Sequence, residues 1–275
     1  MSVRLELTKS YYVGYINPYS WVNRYLFEGG ERVRFLGGCS YRFRGLHLLA
    51  SIADVISGSE VFRILSEAFR IDVNEYVALV AHSLGEGAFP VLVSIILSQN
   101  TSDRNSIRAF LRLKEGVGVR LEDILGASVE DIAYFVREAG LWRQKAETIK
   151  RVAEVVARLG GEDFLLKEDP FKVREELLKV KGVGFKTVDV FLSVTRRAPV
   201  FAVDTHAMRV ALRWGLARRG VYEEVSRALL EYFGVERAEE AHRLLIALGR
   251  RVCKARRPRC WECPLATYCP SSLKR

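Results

Sequence analysis

From Ser59 onward, apolar residues recur three and four positions apart, the spacing of a helix that buries one face. The run Ser59-Glu-Val-Phe-Arg-Ile-Leu-Ser-Glu-Ala-Phe opens this regime, with Ser59 as its expected N-cap. Phe89-Pro-Val-Leu-Val-Ser-Ile-Ile-Leu-Ser is apolar nearly all round, which predicts a central buried helix. Amphipathic segments follow near 103–114, 129–139, 144–159, 171–180, 185–196, 205–217, 221–233 and 236–252. Residues 1–58 differ. Val3-Arg-Leu-Glu-Leu and Glu31-Arg-Val-Arg-Phe-Leu alternate apolar and charged residues, and Gly29-Gly30 and Gly37-Gly38 punctuate them. That pattern predicts a small antiparallel sheet. The fold class is therefore mainly α, with a small β-rich N-terminal region.

Composition narrows the picture. Hydrophobic residues make up 49% of the chain, enough for a packed core. No apolar run reaches a membrane span and no secretory leader is visible, so an intracellular protein is expected, cytoplasmic and without a membrane partner. The net charge is +10, and nine Lys/Arg against one acid fall between Arg243 and Arg275. A concentrated positive field favours a polyanion, although a solvated basic tail would look the same. Many charges and only two Gln (Gln99, Gln144) are also what heat-adapted chains show.

Leu177-Leu-Lys-Val-Lys-Gly-Val-Gly-Phe-Lys-Thr-Val-Asp-Val-Phe-Leu192 reads as two short helices joined at Gly182-Val183-Gly184. Glycines permit a tight turn and close approach to another surface. The second helix then presents unpaired N–H groups and a positive dipole end, which suits a phosphate. A plain turn is the competing explanation. Lys186 lies on the first turn of that helix, where the dipole should lower its pKa and supply the neutral amine of Schiff-base chemistry. Eighteen residues on, Asp204 ends the apolar run Val200 to Val203. It is either an N-cap or a carboxylate held to stabilise a cationic sugar.

Four of the five cysteines form Cys253-x6-Cys260-x2-Cys263-x5-Cys269, and Cys39 stands alone. Such a cluster reads as a metal site, zinc or an iron–sulfur cube. Between Cys253 and Cys260 lie Lys254, Arg256, Arg257 and Arg259, which can press several charges against a nucleic-acid backbone.

Val180-Lys-Gly-Val-Gly-Phe-Lys-Thr187, Val203-Asp-Thr-His206 and the cysteine spacing together resemble the helix-hairpin-helix (HhH-GPD) DNA glycosylases, in their endonuclease III branch. The likeness runs over about residues 85–270, with Lys181 where the family has proline. It implies a two-lobed helical fold and a structural [4Fe–4S] cluster on Cys253, Cys260, Cys263 and Cys269. It also implies Lys186 and Asp204 as catalytic residues and Gly182, Val183 and Gly184 as a phosphate seat. Leu97-Ser-Gln-Asn-Thr-Ser-Asp103 resembles the loop that fills the gap left by an everted base, with Asn100 at the matching position and Gln99 beside it. Ala139-Gly-Leu-Trp-Arg-Gln-Lys-Ala146 resembles the loop carrying an apolar wedge, here Leu141. An N-cap loop around Asp103 and a buried Leu–Trp pair are the plainer alternatives.

The expected organisation is a β-rich region at 1–58, a helical junction at 59–88, a helical barrel lobe at 89–204, and C-terminal helices with the cluster loop at 205–275. The junction has a faint likeness to the 8-oxoguanine and alkyladenine glycosylases, where a small β domain precedes the helices. The resemblance implies a monomeric glycosylase and abasic-site lyase acting on double-stranded DNA with damaged bases or abasic sites, oxidised pyrimidines first. A mismatch or oxidised/alkylated-purine glycosylase and a non-catalytic DNA-binding iron–sulfur module are the alternatives.

Overall fold

A computed structural model describes residues 32–34, 40–42 and 51–272. Two short strands, β1 (Arg32–Arg34) and β2 (Ser40–Arg42), pair antiparallel with Val33 opposite Tyr41. The expected strand at Val3–Leu7, and Cys39, lie outside the described residues.

The rest is helical: α1 (Gly58–Ala68), α2 (Val77–Ser83), α3 (Ala88–Ser98), α4 (Asp103–Gly116), α5 (Leu121–Gly126), α6 (Val129–Phe135) and α7 (Trp142–Leu159). Then come α8 (Glu162–Lys167), α9 (Pro170–Leu178), α10 (Phe185–Arg196), α11 (Thr205–Arg213), α12 (Tyr222–Phe233) and α13 (Ala238–Arg251). Among the described residues no helix is long and apolar enough to cross a membrane.

Ser57, not Ser59, caps α1, accepting from the Glu60 amide. Both serines precede the periodic run, and Ser57 is the one whose backbone is extended, as a cap requires. Every residue of α3 from Ala88 to Leu97 is buried, as its uninterrupted apolar character dictates. Gly87 offers α3 no cap, so the Glu162 carboxylate from α8 accepts from the Ala88 and Phe89 amides at 2.8 and 2.9 Å.

Among the described residues the core forms two apolar clusters. One runs from α2 through α10, Val77 to Val200, around α3. The other joins α1 to α11–α13 and reaches Leu265 beside the cysteines. The chain passes from the first cluster to the second between Val200 and Phe201. Asp204 follows that crossing by three residues.

Candidate active site

An open cleft draws its walls from both clusters. Gln99, Asn100, Gly182, Gly184 and Lys186 line it from the first, and Asp204, His206 and His242 from the second.

The hairpin turn between α9 and α10 places Lys186. Gly182 has φ +97°, and a Cβ there would lie 2.4 Å from Thr148 Oγ1, so only glycine fits. Gly184 is different. Its φ is −114° and an added Cβ would meet nothing within 4 Å. It is the uncapped N-cap of α10, open to an approaching anion. Val183 contributes less than the sequence suggested: its side chain is buried and its N–H donates to Val180 O at 3.0 Å. Lys186 is exposed on the first turn of α10, with no hydrogen bond or ion pair to the described residues.

Asp204 is both a cap and a cleft carboxylate. Its Oδ1 accepts from the His206 and Ala207 amides at 2.9 and 2.7 Å. Burial alone would raise its pKa. His242, the Ala207 amide, Lys186 and His206 outweigh that and hold the carboxyl below its usual range. It is ionised at neutral pH.

Two strained loops flank the cleft. Asn100 (φ 50°) and Leu141 (φ 45°) both adopt left-handed backbone, which asparagine tolerates and leucine rarely adopts. Both are exposed, Leu141 by 57%. The plainer N-cap loop around Asp103 is present as well, since Ser102 caps α4 at Asp103; the buried Leu–Trp pair is not, because Leu141 projects into solvent. Gln99 is instead tied down, donating to Gly182 O at 3.1 Å and Thr187 Oγ1 at 2.9 Å.

The four cysteines line one small cavity. Four thiols around one cavity supply the donor set of an iron–sulfur cube. Burial pushes the Cys263 thiol up to about 11 and raises Cys269, so loading must expel protons. Arg213 donates to Cys253 Sγ at 3.1 Å and to Lys254 O at 2.8 Å. Arg209 donates to Cys253 O at 2.9 Å. Both arginines stand on α11, so the helix capped by Asp204 also braces the cysteine loop. Lys254, Arg256 and Arg257 are exposed. Arg259 is engaged within the loop, to Arg251 O at 2.7 Å and Glu262 at 3.0 Å.

Residues 93–234 match the HhH-GPD superfamily of base excision DNA repair proteins, and residues 253–269 match the iron–sulfur binding domain of endonuclease III. The chain belongs to the HhH-GPD superfamily. Endonuclease III of Sulfolobus acidocaldarius is 36% identical over 77% of this chain and 94% of its own length. That of Thermotoga maritima is 36% identical over 68% and 84%. A trapped endonuclease III–DNA covalent intermediate superposes with a TM-score of 0.64 at 28% identity, covering 80% of this chain and 99% of that one. This HhH-GPD protein is a base-excision DNA glycosylase and abasic-site lyase with a [4Fe–4S] cluster.

Sequence reasoning missed several parts of the HhH-GPD site. His242 is buried beside Asp204 with Nε2 unpartnered among the described residues, and burial pulls its pKa down. Tyr222 OH donates to Asp189 Oδ2 at 2.9 Å and accepts from the Val203 amide at 3.2 Å. Arg174 pairs with the buried Asp189 at 2.6 Å. This network joins the helix bearing Lys186 to the residue before Asp204. Arg250 pairs with Asp103 across the cleft at 2.8 Å. Each partnership links residues far apart in sequence, and no local pattern announces it.

Proposed function

We propose that the chain removes oxidised pyrimidines from double-stranded DNA with Lys186 as nucleophile and Asp204 as its electrostatic partner, acting as a monomer. The observation that carries this is the exposed Lys186, unpaired among the described residues, sharing an open cleft with an ionised Asp204. The open N-terminus of α10 and the exposed Lys254, Arg256 and Arg257 would hold backbone phosphates. The damaged nucleotide turns out of the stack into the cleft, which is open enough to admit it. Asn100 and Leu141 enter the duplex behind it.

Asp204 stabilises positive charge developing at the anomeric carbon. Lys186 Nζ, once it has given up a proton, forms a bond to that carbon as the glycosidic bond breaks. The base leaves with the bonding electrons and takes up a proton. Ring opening yields a Schiff base, whose loss of a C2′ proton expels the 3′ phosphate. Cys253, Cys260, Cys263 and Cys269 would hold the cluster, which supplies a rigid, charged support for the basic loop when bound.

Borohydride reduction during turnover on an abasic duplex tests this reading. The wild-type chain should form a covalent adduct and Lys186→Gln should bind DNA without forming one. Trapping by Lys186→Gln overturns the nucleophile assignment.

A further inference from the structure

A second lysine is tied to the segments that carry Asn100 and Leu141. Lys145, on α7, is buried. An ammonium has three donors and no acceptor. Here all three are used: Lys145 Nζ donates to Leu97 O at 2.8 Å, Thr101 Oγ1 at 2.6 Å and Ala139 O at 2.5 Å. Thr101 Oγ1 itself contacts Ala139 O and donates to Gln99 O at 3.1 Å. These acceptors come from two segments distant in sequence: the last turn of α3 with the loop after it, and the turn ending at Ala139. One leads into Asn100 and the other into Leu141, both exposed and both with left-handed backbone.

We infer that Lys145 is a positioning residue that locks the Asn100 and Leu141 loops into one rigid unit, so that both residues enter the duplex together. The inference rests on the proposal that these two residues insert. Left-handed backbone at a non-glycine residue persists only where surrounding contacts over-determine it. The single ammonium supplies such contacts to both loops at once. Burial lowers the Lys145 pKa to about 8. A buried amine of this kind invites a nucleophilic role, but Lys145 does not line the cleft and its three donors are engaged.

The test compares a substrate that needs insertion with one that does not. Single-turnover base release is measured on a duplex with thymine glycol, and strand cleavage on a single-stranded oligonucleotide with one abasic site. Lys145→Met should slow duplex base release by about 10–100-fold, the scale of an ångström-sized misplacement. That loss should exceed its loss on the single strand at least tenfold. Thr101→Val removes the shared hydroxyl and should shift the ratio the same way by less. In the DNA-free holoprotein, amide exchange in residues 99–101 and 139–141 should rise together in either variant. Equal losses on both substrates, or faster exchange in one loop only, overturn the inference. If Lys145→Met does not fold, Thr101→Val and its exchange decide. Leu141→Ala and Asn100→Ala separate the underlying reading. Selective loss in either, with none in Lys145→Met, overturns the clamp alone. No selective loss in any of the three overturns insertion itself.

Discussion

Lys186 and Lys145 stand 41 residues apart and face opposite circumstances. Lys186 is exposed at the uncapped start of α10, on a cleft, with no hydrogen-bond partner among the described residues. Lys145 is buried, with its three donors held by three oxygens. A nucleophile needs a lone pair and a path to the substrate, whereas a clamp needs fixed partners and no solvent. Depressed basicity alone would have pointed to Lys145. Access and engagement of the donors assign the roles, and geometry outranks pKa here.

The contrast is broken most strongly by substitution at the nucleophile. Lys186→Gln should reduce abasic-strand cleavage by roughly 10³-fold or more, since covalent chemistry has no substitute. Cleavage assays on abasic duplex read this directly.

Asp204 comes next, because its two roles can be separated. Asp204→Asn keeps an effective cap while removing the charge. Turnover should fall by roughly 10²–10³-fold, the scale of lost electrostatic stabilisation, with the melting temperature nearly unchanged. Asp204→Ala should lose about 1 kcal/mol of stability in addition. If Asp204→Asn is as active as wild type, the carboxylate is only a cap.

The hairpin offers a finer comparison. Gly182→Ala combines positive φ with a clash against Thr148 and should destabilise by about 1–3 kcal/mol. Gly184→Ala meets open space at an ordinary φ and should change stability by less than about 1 kcal/mol. Urea midpoints of the two variants check the ordering.

The smallest effect concerns acid. Burial depresses the His242 pKa against the opposing pull of Asp204, so the folded chain favours neutral imidazole. The unfolded chain binds a proton below about pH 6.5. Stability from neutral His242 is thus fully present above that pH and is lost as pH falls toward the depressed folded value. His242→Asn should flatten the decline in urea midpoint between about pH 6.5 and 5. An unchanged slope would exclude His242 as its source.

Much of this was legible in the sequence because it is local. Gly182, Lys186 and Asp204 lie within 23 residues, and their roles depend on a turn, a helix start and a helix cap. The long helices announced themselves by period. The short α2, α5 and α8 did not, since six or seven residues hold too few repeats to separate from loops. Ser57 and Ser59 are equivalent on paper and only backbone geometry chose between them. Lys145 was the hardest to foresee. A lysine in Trp142–Leu159 reads as a solvated helix face, and its carbonyl partners leave no side-chain signature. The pull of His242 on Asp204 and the Tyr222 bond to the Val203 amide are likewise products of the tertiary fold.

The division of labour between the two lysines is open to one direct reading. Wild-type protein is reduced with borohydride on an abasic duplex, digested, and the sugar-modified peptide sequenced by tandem mass spectrometry. The modification should fall on Lys186. A modification on Lys145, or on any other residue, would contradict the account.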